Sequence, residues 1–96
     1  MHIITKRELK AFYIQHPDAK NHLLRWFRIL SKTDFANISE LRSSFSNSVD
    51  SVGNKTVFNI GGNKYRLIAS IHFNRKKVYI RRILTHVEYD KGAWKQ

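Results

Sequence analysis

The chain has 96 residues, a formal net charge of +11 and no cysteine. Such a length fits one domain, and the lack of cysteine excludes disulfides, thiolate metal sites and a thiol nucleophile. No apolar run approaches the roughly 20 residues of a membrane span, and the first residues do not form a signal peptide. We therefore expect a single cytoplasmic domain over 1–96.

The positive charge is concentrated in the second half of the chain. Lysine and arginine number 18 against 7 acidic residues, and no acidic residue lies between Asp50 and Glu88. That interval contains Lys55, Lys64, Arg66, Arg75, Lys76, Lys77, Arg81 and Arg82. A basic field of this kind attracts polyanions, and nucleic acid is the usual one. The alternative is a solvated basic surface that only keeps the protein soluble.

A short strand and two helices are predicted in the first half. Residues 2–4 are β-prone, and Thr5 and Glu8 have the spacing of a capping box, which predicts a helix over 6–15. Pro17 suits the first turn of a second helix, because its missing N–H would be unpaired there in any case. That helix has an apolar stripe at spacings of three and four residues, formed by Leu23, Trp26, Phe27 and Leu30.

The middle of the chain is predicted to be mostly irregular. Residues 34–41 form a connection with at most one helical turn, and Leu41 and Phe45 can tuck this segment onto the core. The polar residues that follow predict one mobile loop; they are Ser43, Ser44, Ser46, Asn47 and Ser48.

Three strands are predicted in the second half, over 56–60, 64–73 and 78–85. Gly61, Gly62 and Asn63 form the first turn, since these residues accept positive φ, and 74–76 form the second. A short turn or helix over 86–90 ends the domain. The order β-α-α-β-β-β predicts an α+β fold, with two helices on one face of a small twisted antiparallel sheet.

The residue alternation along 64–73 indicates which side chains face the core. Tyr65 and Leu67 begin the core face, and Arg66 begins the opposite, exposed one. A two-residue turn at Arg75-Lys76 would pair Arg81 with Ser70 on the exposed face and Arg82 with Ala69 on the core face. Because a core-facing charge is unfavourable, either a bulge near 81–82 or a sheet-edge position for Arg82 is required.

Cleavage of RNA without a metal needs a base for the 2′-hydroxyl, an acid for the leaving 5′-oxygen, and cations for the phosphorane. Arg66 and Arg81 share a predicted sheet face, and arginine suits phosphate through its planar fork. His86 can donate or accept a proton near neutral pH. Tyr89, three residues on, lies on the same side of a helical turn, and Asp90 can orient His86. Arg66, Arg81, His86 and Tyr89 are therefore the candidate catalytic residues.

Further cations are candidates for RNA binding rather than chemistry. They are Lys55, Lys64, Arg75, Lys76, Lys77, Arg82 and Lys91. No metal site is expected, since the histidines include no H-x-x-x-H pair and no acidic cluster is present. Gly61-Gly62 joins two strands instead of opening a helix, so it is not a phosphate-binding loop.

Two stretches carry a resemblance to a known family. The stretch 57–69 reads VFNIGGNKYRLIA, and 80–90 reads IRRILTHVEYD. With the opening His2-Ile3-Ile4 and the total length, they resemble the HigB family of bacterial toxins over nearly the whole chain. The F-N-I-G-G-N-x-Y-R and T-H-x-E-Y-D elements are specific when they occur together.

The resemblance implies a RelE-like fold and an mRNA interferase that cuts mRNA on the translating ribosome without a metal or cofactor. It implies that a HigA-type helix-turn-helix antitoxin neutralises the toxin. It also implies that the antitoxin, and not the toxin itself, binds operator DNA. It also implies that Arg66 matches the arginine on the family's sheet, and that Arg81 or Arg82 matches the family's second strand arginine. The T-H-x-E-Y-D element at the end of the resemblance contains His86, Tyr89 and Asp90. The rival hypotheses are a non-catalytic RNA- or DNA-binding module and a domain that binds an acidic protein.

Overall fold

The computed structural model describes residues 1–45, 48–92 and 94, and it has the predicted α+β character. Helices and strands follow the order β1-α1-α2-α3-β2-β3-β4-β5-α4. The helices are α1 Arg7–Gln15, α2 Lys20–Lys32, α3 Ile38–Phe45 and α4 His86–Asp90. The strands are β1 His2–Ile4, β2 Val49–Val52, β3 Lys55–Ile60, β4 Tyr65–His72 and β5 Lys77–Thr85. In the described part of the chain, no helix is long and apolar enough to cross a membrane.

The two predicted N-terminal helices are confirmed within a few residues of their expected bounds. Pro17 begins a single 3-10 turn, Pro17–Ala19, that leads directly into α2. Leu23, Trp26 and Leu30 are buried against the sheet, and Phe27 is half-buried beside them. The apolar stripe of α2 therefore faces the core, as its spacing predicts.

The capping box predicted at Thr5 and Glu8 is wrong. The N-cap of α1 is Lys6, and no side chain caps it. Thr5 has a φ of 65°, and its hydroxyl oxygen lies 3.2 Å from both the amide nitrogen and the carbonyl oxygen of Ile80. Its side chain contacts the sheet and is not available to the helix.

The segment predicted as an irregular connection forms a third helix, α3. Asn37 accepts a hydrogen bond from the amide of Glu40 at 3.1 Å, as an N-terminal cap does. Leu41 is fully buried, and the ring of Phe45 packs edge-to-face on Phe58 with 5.3 Å between centroids. This packing overrides the weak helix propensity of the serines. Ser43 and Ser44 are thus helical, Ser48 follows the helix, and Ser46 and Asn47 lie outside the described residues.

The sheet has five strands in the order β1-β5-β4-β3-β2. The prediction of a purely antiparallel sheet is wrong at one edge, because β1 pairs parallel with β5, with His2 opposite Lys77. It also missed β2, which forms an antiparallel hairpin with β3. The helices α1, α2 and α3 cover one face of the sheet, here called the helical face. The opposite face is called the open face.

A β-bulge sets the register of the two basic strands. The predicted pairing of Ser70 with Arg81 is wrong: Ser70 lies opposite Tyr79, and Ile68 lies opposite Arg82. The shift between these pairs leaves Arg81 as the extra residue of β5. The pairing of Ser70 differs from the prediction because the connection is a 3-10 turn, Phe73–Arg75, followed by Lys76 with a φ of 56°, and not a two-residue turn.

The bulge resolves the conflict over Arg82. Ile80 and Ile83, on either side of the arginine pair, both contact the main core on the helical face. Arg82 shares the open face with its partner Ile68, and Arg81 contacts the open-face residue Ser70. Of the two alternatives drawn from the sequence, the bulge is confirmed. Both arginines are exposed on the open face.

A second, smaller core lies on the open face. It is formed by buried Val57, Ile68 and Trp94, with Leu84 and Tyr89 packed against it. The expectation that this face stays uncovered is therefore wrong at one end, where α4 and Trp94 lie on the sheet. The other end, towards His72 and Lys77, is not covered by α4.

Candidate functional site

The helix α4 is tied to the sheet by a complete capping box. The hydroxyl of Thr85 accepts from the amide of Glu88 at 3.2 Å, and a carboxylate oxygen of Glu88 accepts from the amide of Thr85 at 2.9 Å. The second bond is the main reason that the pKa of Glu88 is lowered. The amide of His86 also donates to the carbonyl of Lys64 at 2.9 Å. Two candidate residues, His86 and Tyr89, are thereby held at one end of the open face.

Tyr89 is fixed by a stacked aromatic pair. Its ring lies 4.9 Å from that of Trp94 with an interplanar angle of 16°, and the indole N–H of Trp94 donates to the Tyr89 carbonyl at 2.9 Å. Trp94 itself packs on Val57 and Ile68. Tyr89 is half-buried, so its ring has a defined position on the sheet.

Arg66 lies beneath this aromatic layer. Its guanidinium carbon is 5.4 Å from the centroid of the Tyr89 ring, a distance at which a cation is attracted to an aromatic face. One terminal nitrogen donates to the carbonyl of Tyr65 at 3.1 Å. The side chain is on the face that alternation predicts, but only 9% of the residue is exposed. The sequence predicted an exposed arginine, and the docking of α4 is what buries it.

His86 and Asp90 form a contact on the outer side of α4. Nδ1 of His86 lies 3.2 Å from a carboxylate oxygen of Asp90, and both side chains are at least half exposed. The two residues are one helical turn apart, so their side chains are neighbours on the helix surface. The carboxylate occupies Nδ1 and leaves Nε2 as the nitrogen that can exchange a proton with a ligand.

Arg81 is not part of this cluster at α4. Its Nε donates to the hydroxyl of Ser70 at 3.0 Å, and its guanidinium carbon lies 5.5 Å from the centroid of the Tyr79 ring. Ser70 is four residues beyond Arg66 on β4, which is about 13 Å along a strand. The structure thus places Arg66 in contact with Tyr89 of α4, and the same helix has the exposed pair of His86 and Asp90. Arg81 lies further along the sheet.

The family of this chain is shown by comparison with known proteins. A family model described as HigB toxin, the RelE-like toxic component of a toxin-antitoxin system, matches residues 19–92. The chain is 36% identical over 93 residues to the mRNA interferase toxin HigB of Escherichia coli (strain K12), covering 94% of this chain and 88% of that protein. The chain belongs to the HigB toxin family.

Similar values are found for two further relatives. The mRNA interferase HigB of Shigella flexneri is also 36% identical, over 94% of this chain and 88% of that protein. The mRNA interferase HigB of Escherichia coli O6:H1 is 34% identical, over 95% of this chain and 90% of that protein. The resemblance found in the sequence is therefore confirmed, and membership of the HigB family implies an antitoxin as partner.

In this HigB-family chain, two of the predicted RNA-binding lysines are paired with carboxylates. Nζ of Lys64 lies 3.4 Å from one carboxylate oxygen of Asp18, and the other oxygen accepts from the Tyr65 hydroxyl at 2.6 Å. The Tyr65 bond is the main cause of the lowered pKa of Asp18, and it raises the pKa of Tyr65. Lys64 immediately precedes β4, but its ammonium contacts Asp18 in the turn before α2 and not the open face.

Lys76 is the second paired lysine. Its Nζ lies 3.5 Å from Asp34, whose other oxygen is 3.1 Å from the N-terminal ammonium. The bond from the N-terminus is the main reason that the pKa of Asp34 is lowered. Lys76 lies next to the turn between β4 and β5, away from α4.

The remaining predicted cations form no salt bridge within the described residues. Lys55 donates to Asn54 at 3.3 Å. Lys77 is half-buried, paired with His72 on β4, and Arg75, Arg82 and Lys91 are exposed. In the same part of the chain, no group of three or more histidine or acidic side chains is placed to hold a metal ion.

The sequence interpretation missed Ser70 and Tyr79 as residues that contact a candidate arginine. Ser70 is on the predicted exposed face, but Tyr79 shares that face only because of the bulge. The available signal was a tyrosine two residues before an arginine on a basic strand.

Proposed function

We propose that this chain is an mRNA interferase toxin, an endoribonuclease that inhibits translation and growth by cutting mRNA on the translating ribosome. The observation that carries the proposal is the 36% identity, over 94% of the chain, to proteins named mRNA interferase. The clustering of arginine, tyrosine and histidine at one end of a basic sheet face supports it, because these groups supply charge and proton transfer for phosphate chemistry.

The proposed reaction is attack by the 2′-hydroxyl on the adjacent phosphorus. The 2′-oxygen forms a bond to phosphorus and loses its proton to a base. The bond from phosphorus to the 5′-oxygen breaks, and that oxygen takes a proton from an acid. The products are a 2′,3′-cyclic phosphate and a free 5′-hydroxyl, with no change in oxidation state. The chemistry needs two proton transfers and stabilisation of the phosphorane charge, and it requires neither a metal nor a cofactor.

His86 and Tyr89 are proposed to carry the two proton transfers. Asp90 contacts Nδ1 of His86 at 3.2 Å, which orients the ring and leaves Nε2 for proton transfer. The guanidinium of Arg66 lies under the Tyr89 ring, where its positive charge can stabilise a neighbouring phosphorane. Because Arg66 is 9% exposed, the RNA must displace part of the Tyr89 contact to reach it.

The other cations are proposed to bind the RNA backbone. Arg81 and Arg82 are both exposed on the open face. Lys77 lies on the same strand, β5, and Lys55 lies on β3, on the far side of β4. Arg75 and Lys91 extend the basic surface at either end. Lys64 and Lys76 would have to exchange a carboxylate for a phosphate, so we expect smaller contributions from these two.

The proposed partners follow from the same function. They are mRNA, the ribosome and a HigA-type helix-turn-helix antitoxin, with operator DNA reached only through the antitoxin. Because this function requires translating ribosomes, we propose that the toxin acts in the cytoplasm.

Induced expression in bacteria tests this proposal. Wild type, Arg66→Ala and Tyr89→Phe are compared, with Arg28→Ala as a matched control because Arg28 is exposed on α2, away from the site. We expect wild type and Arg28→Ala to arrest growth and to create new mRNA 5′ ends within translated frames, and the site variants to do neither. Tyr89→Phe keeps the packing, so its inactivity does not depend on whether Arg66→Ala folds. Folded wild type that binds RNA without new ends would instead indicate a non-catalytic binding module.

A further inference from the structure

One carboxylate on the helical side of the sheet holds two consecutive residues at the start of β4. Asp18 lies in the 3-10 turn before α2. One of its oxygens accepts from the Tyr65 hydroxyl at 2.6 Å, and the other lies 3.4 Å from Nζ of Lys64. The carboxylate therefore ties the side chains of both residues to the turn that joins α1 and α2.

The carbonyl groups of the same two residues contact the candidate site. The carbonyl of Tyr65 accepts from the guanidinium of Arg66 at 3.1 Å. The carbonyl of Lys64 accepts from the amide of His86, the first residue of α4, at 2.9 Å. Asp18 is thus joined, through Lys64 and Tyr65, to two of the residues proposed for the chemistry.

The bond from Tyr65 is the stronger of the two contacts that Asp18 makes. It is a short hydrogen bond to a charged acceptor, and Tyr65 is only 8% exposed. The tyrosine ring is also packed edge-to-face on Phe12 and His16, with centroids 5.3 and 5.4 Å away. The contact with Lys64 is longer and joins two exposed side chains, and ion pairs of this kind contribute little. We therefore assign the holding of β4 mainly to the tyrosine hydroxyl.

The position of Tyr65 explains why a side-chain anchor matters there. Tyr65 is the first residue of β4 and lies opposite Thr85, the N-cap of α4. Strand ends open more readily than strand centres, because fewer contacts hold them. A shift of about 1 Å at a reacting group can lower a rate about 10²-fold. Anchoring this strand end therefore fixes the parts of the site that depend on it.

We propose that Asp18 is a positioning residue for the cleavage reaction and acts through Tyr65 and Lys64. Held by this carboxylate, the two carbonyl groups keep the guanidinium of Arg66 and the start of α4 in place. The proposal rests on the proposed function for its reaction, and it extends the site to the opposite side of the sheet.

Single-turnover cleavage of ribosome-bound mRNA tests the inference. The maximum rate and the toxin concentration that gives half of that rate are measured separately. Asp18→Ala should lower the maximum rate about 10- to 100-fold. The half-saturating concentration should not rise, because the substitution removes a negative charge from a protein that binds a polyanion.

Two further variants show whether the carboxylate acts through the tyrosine. Asp18→Asn keeps an oxygen that accepts from the Tyr65 hydroxyl, so it should retain most of the wild-type rate. Tyr65→Phe keeps the ring and loses the hydroxyl, so it should be as slow as Asp18→Ala. In a Tyr65→Phe background, Asp18→Ala should have no further effect on the maximum rate.

Asp34→Ala is the matched control. Asp34 also lies beside a lysine, 3.5 Å from Nζ of Lys76, and the carbonyl of Lys76 also accepts from an amide, that of His2, at 2.8 Å. This arrangement is next to the turn between β4 and β5, away from α4. The control removes the same charge and the same kind of ion pair, and it should leave the maximum rate at the wild-type value.

Hydrogen exchange of backbone amides, followed by NMR, gives a readout that needs no cleavage. In Asp18→Ala the amide of His86 should lose protection relative to the amide of His2, and in Asp34→Ala it should not. Urea unfolding of each variant measures the global free energy of unfolding, which separates a local change from a general loss of stability.

Two results would overturn the inference. One is that Asp18→Ala lowers stability but changes the maximum rate and the protection of His86 no more than Asp34→Ala does, which would make the role of Asp18 structural only. The other is an equal effect of Asp18→Ala with and without the Tyr65 hydroxyl. A folded wild type that cuts no mRNA would instead overturn the proposed function, and the exchange measurement would still decide whether Asp18 holds α4.

Discussion

The hydroxyl of Thr5 lies 3.2 Å from both the amide nitrogen and the carbonyl oxygen of Ile80. Thr5 follows the last residue of β1, and Ile80 immediately precedes the extra residue of the bulge. The side chain therefore continues the pairing of β1 with β5 beyond the last backbone pair. It stabilises the strand at the point where Arg81 and Arg82 are turned to the same face.

This contact predicts a measurable loss of stability. Thr5→Val keeps the shape of the side chain and removes the hydroxyl, so two polar groups of Ile80 lose a partner. We expect the free energy of unfolding in urea to fall by about 1–3 kcal/mol. Thr5→Gly loses the same bonds but relieves the positive φ of 65°, so its stability should lie between those of wild type and Thr5→Val. A Thr5→Val protein as stable as wild type would contradict the assignment.

Tyr89→Phe separates the chemistry of the tyrosine from its packing. In Tyr89→Phe the ring still lies over Arg66 and still stacks on Trp94. The hydrogen bond from Trp94 is made to the Tyr89 carbonyl, so the substitution does not remove it. We expect the unfolding free energy to change by less than about 0.5 kcal/mol, whereas the cleavage rate falls about 10²–10⁴-fold, as for the loss of a proton-transfer group. Single-turnover cleavage of a translated reporter mRNA measures the rate. Normal cleavage by a stable Tyr89→Phe protein would restrict Tyr89 to packing.

His86 and Asp90 are predicted to act as one unit. His86→Gln should lower the cleavage rate about 10²–10⁴-fold, and Asp90→Asn should lower it less, because an amide oxygen can still accept from Nδ1. Asp90→Ala should have no further effect in a His86→Gln background, since its role is to orient the ring. Equal effects of Asp90→Ala in both backgrounds would show that the carboxylate acts independently of His86.

The capping box of α4 predicts sensitivity to acid. The pKa of Glu88 is lowered in the folded protein from its ordinary value of 4.5, so the folded state favours the charged carboxylate. The stabilisation is fully present above pH 4.5 and is lost as the pH falls through the folded pKa. Glu88→Gln can still accept from the Thr85 amide but has no charge. We expect it to be less stable than wild type at neutral pH, and we expect the difference to shrink as the pH falls below 4.5, as measured by urea unfolding.

Thr85→Ala provides a control for this prediction, because it removes the acceptor for the Glu88 amide without changing any charge. Its destabilisation should be about 0.5–2 kcal/mol, as for other N-cap residues, and it should be present at neutral and acid pH alike. A difference between wild type and Glu88→Gln that does not change with pH would contradict the charge argument.

Local patterns were sufficient to predict much of the fold. The stripe on α2 and the alternation on β4 depend only on the periodicity of helices and strands, and both are confirmed. The serines of α3 and the residues of β2 have weak propensities of their own. Their structure depends on contacts such as that between Phe45 and Phe58, which a local pattern does not contain.

The candidate site shows the same division between local and long-range information. His86 and Asp90 are neighbours on one short helix, so their contact follows from their spacing. The burial of Arg66 depends on α4 folding back over β4 and on Trp94, far along the chain. The position of Arg81 beside Tyr79 depends on the bulge. The alternation of residues along the strand predicted either a bulge or a sheet-edge position for Arg82, and it did not decide between them.

The parallel pairing of β1 with β5 also has a consequence for the order in which the protein can fold. His2 on β1 and Lys77 on β5 are paired, so β1 cannot form its pairing until β5 has been synthesised. Contacts this distant in sequence form late, after the chain between them has been made. The helix α4 follows β5, so Tyr89 and His86 are added to the chain after both strands of this pair. The contact of Tyr89 with Arg66 therefore forms only after the strand that β1 must pair with has been made.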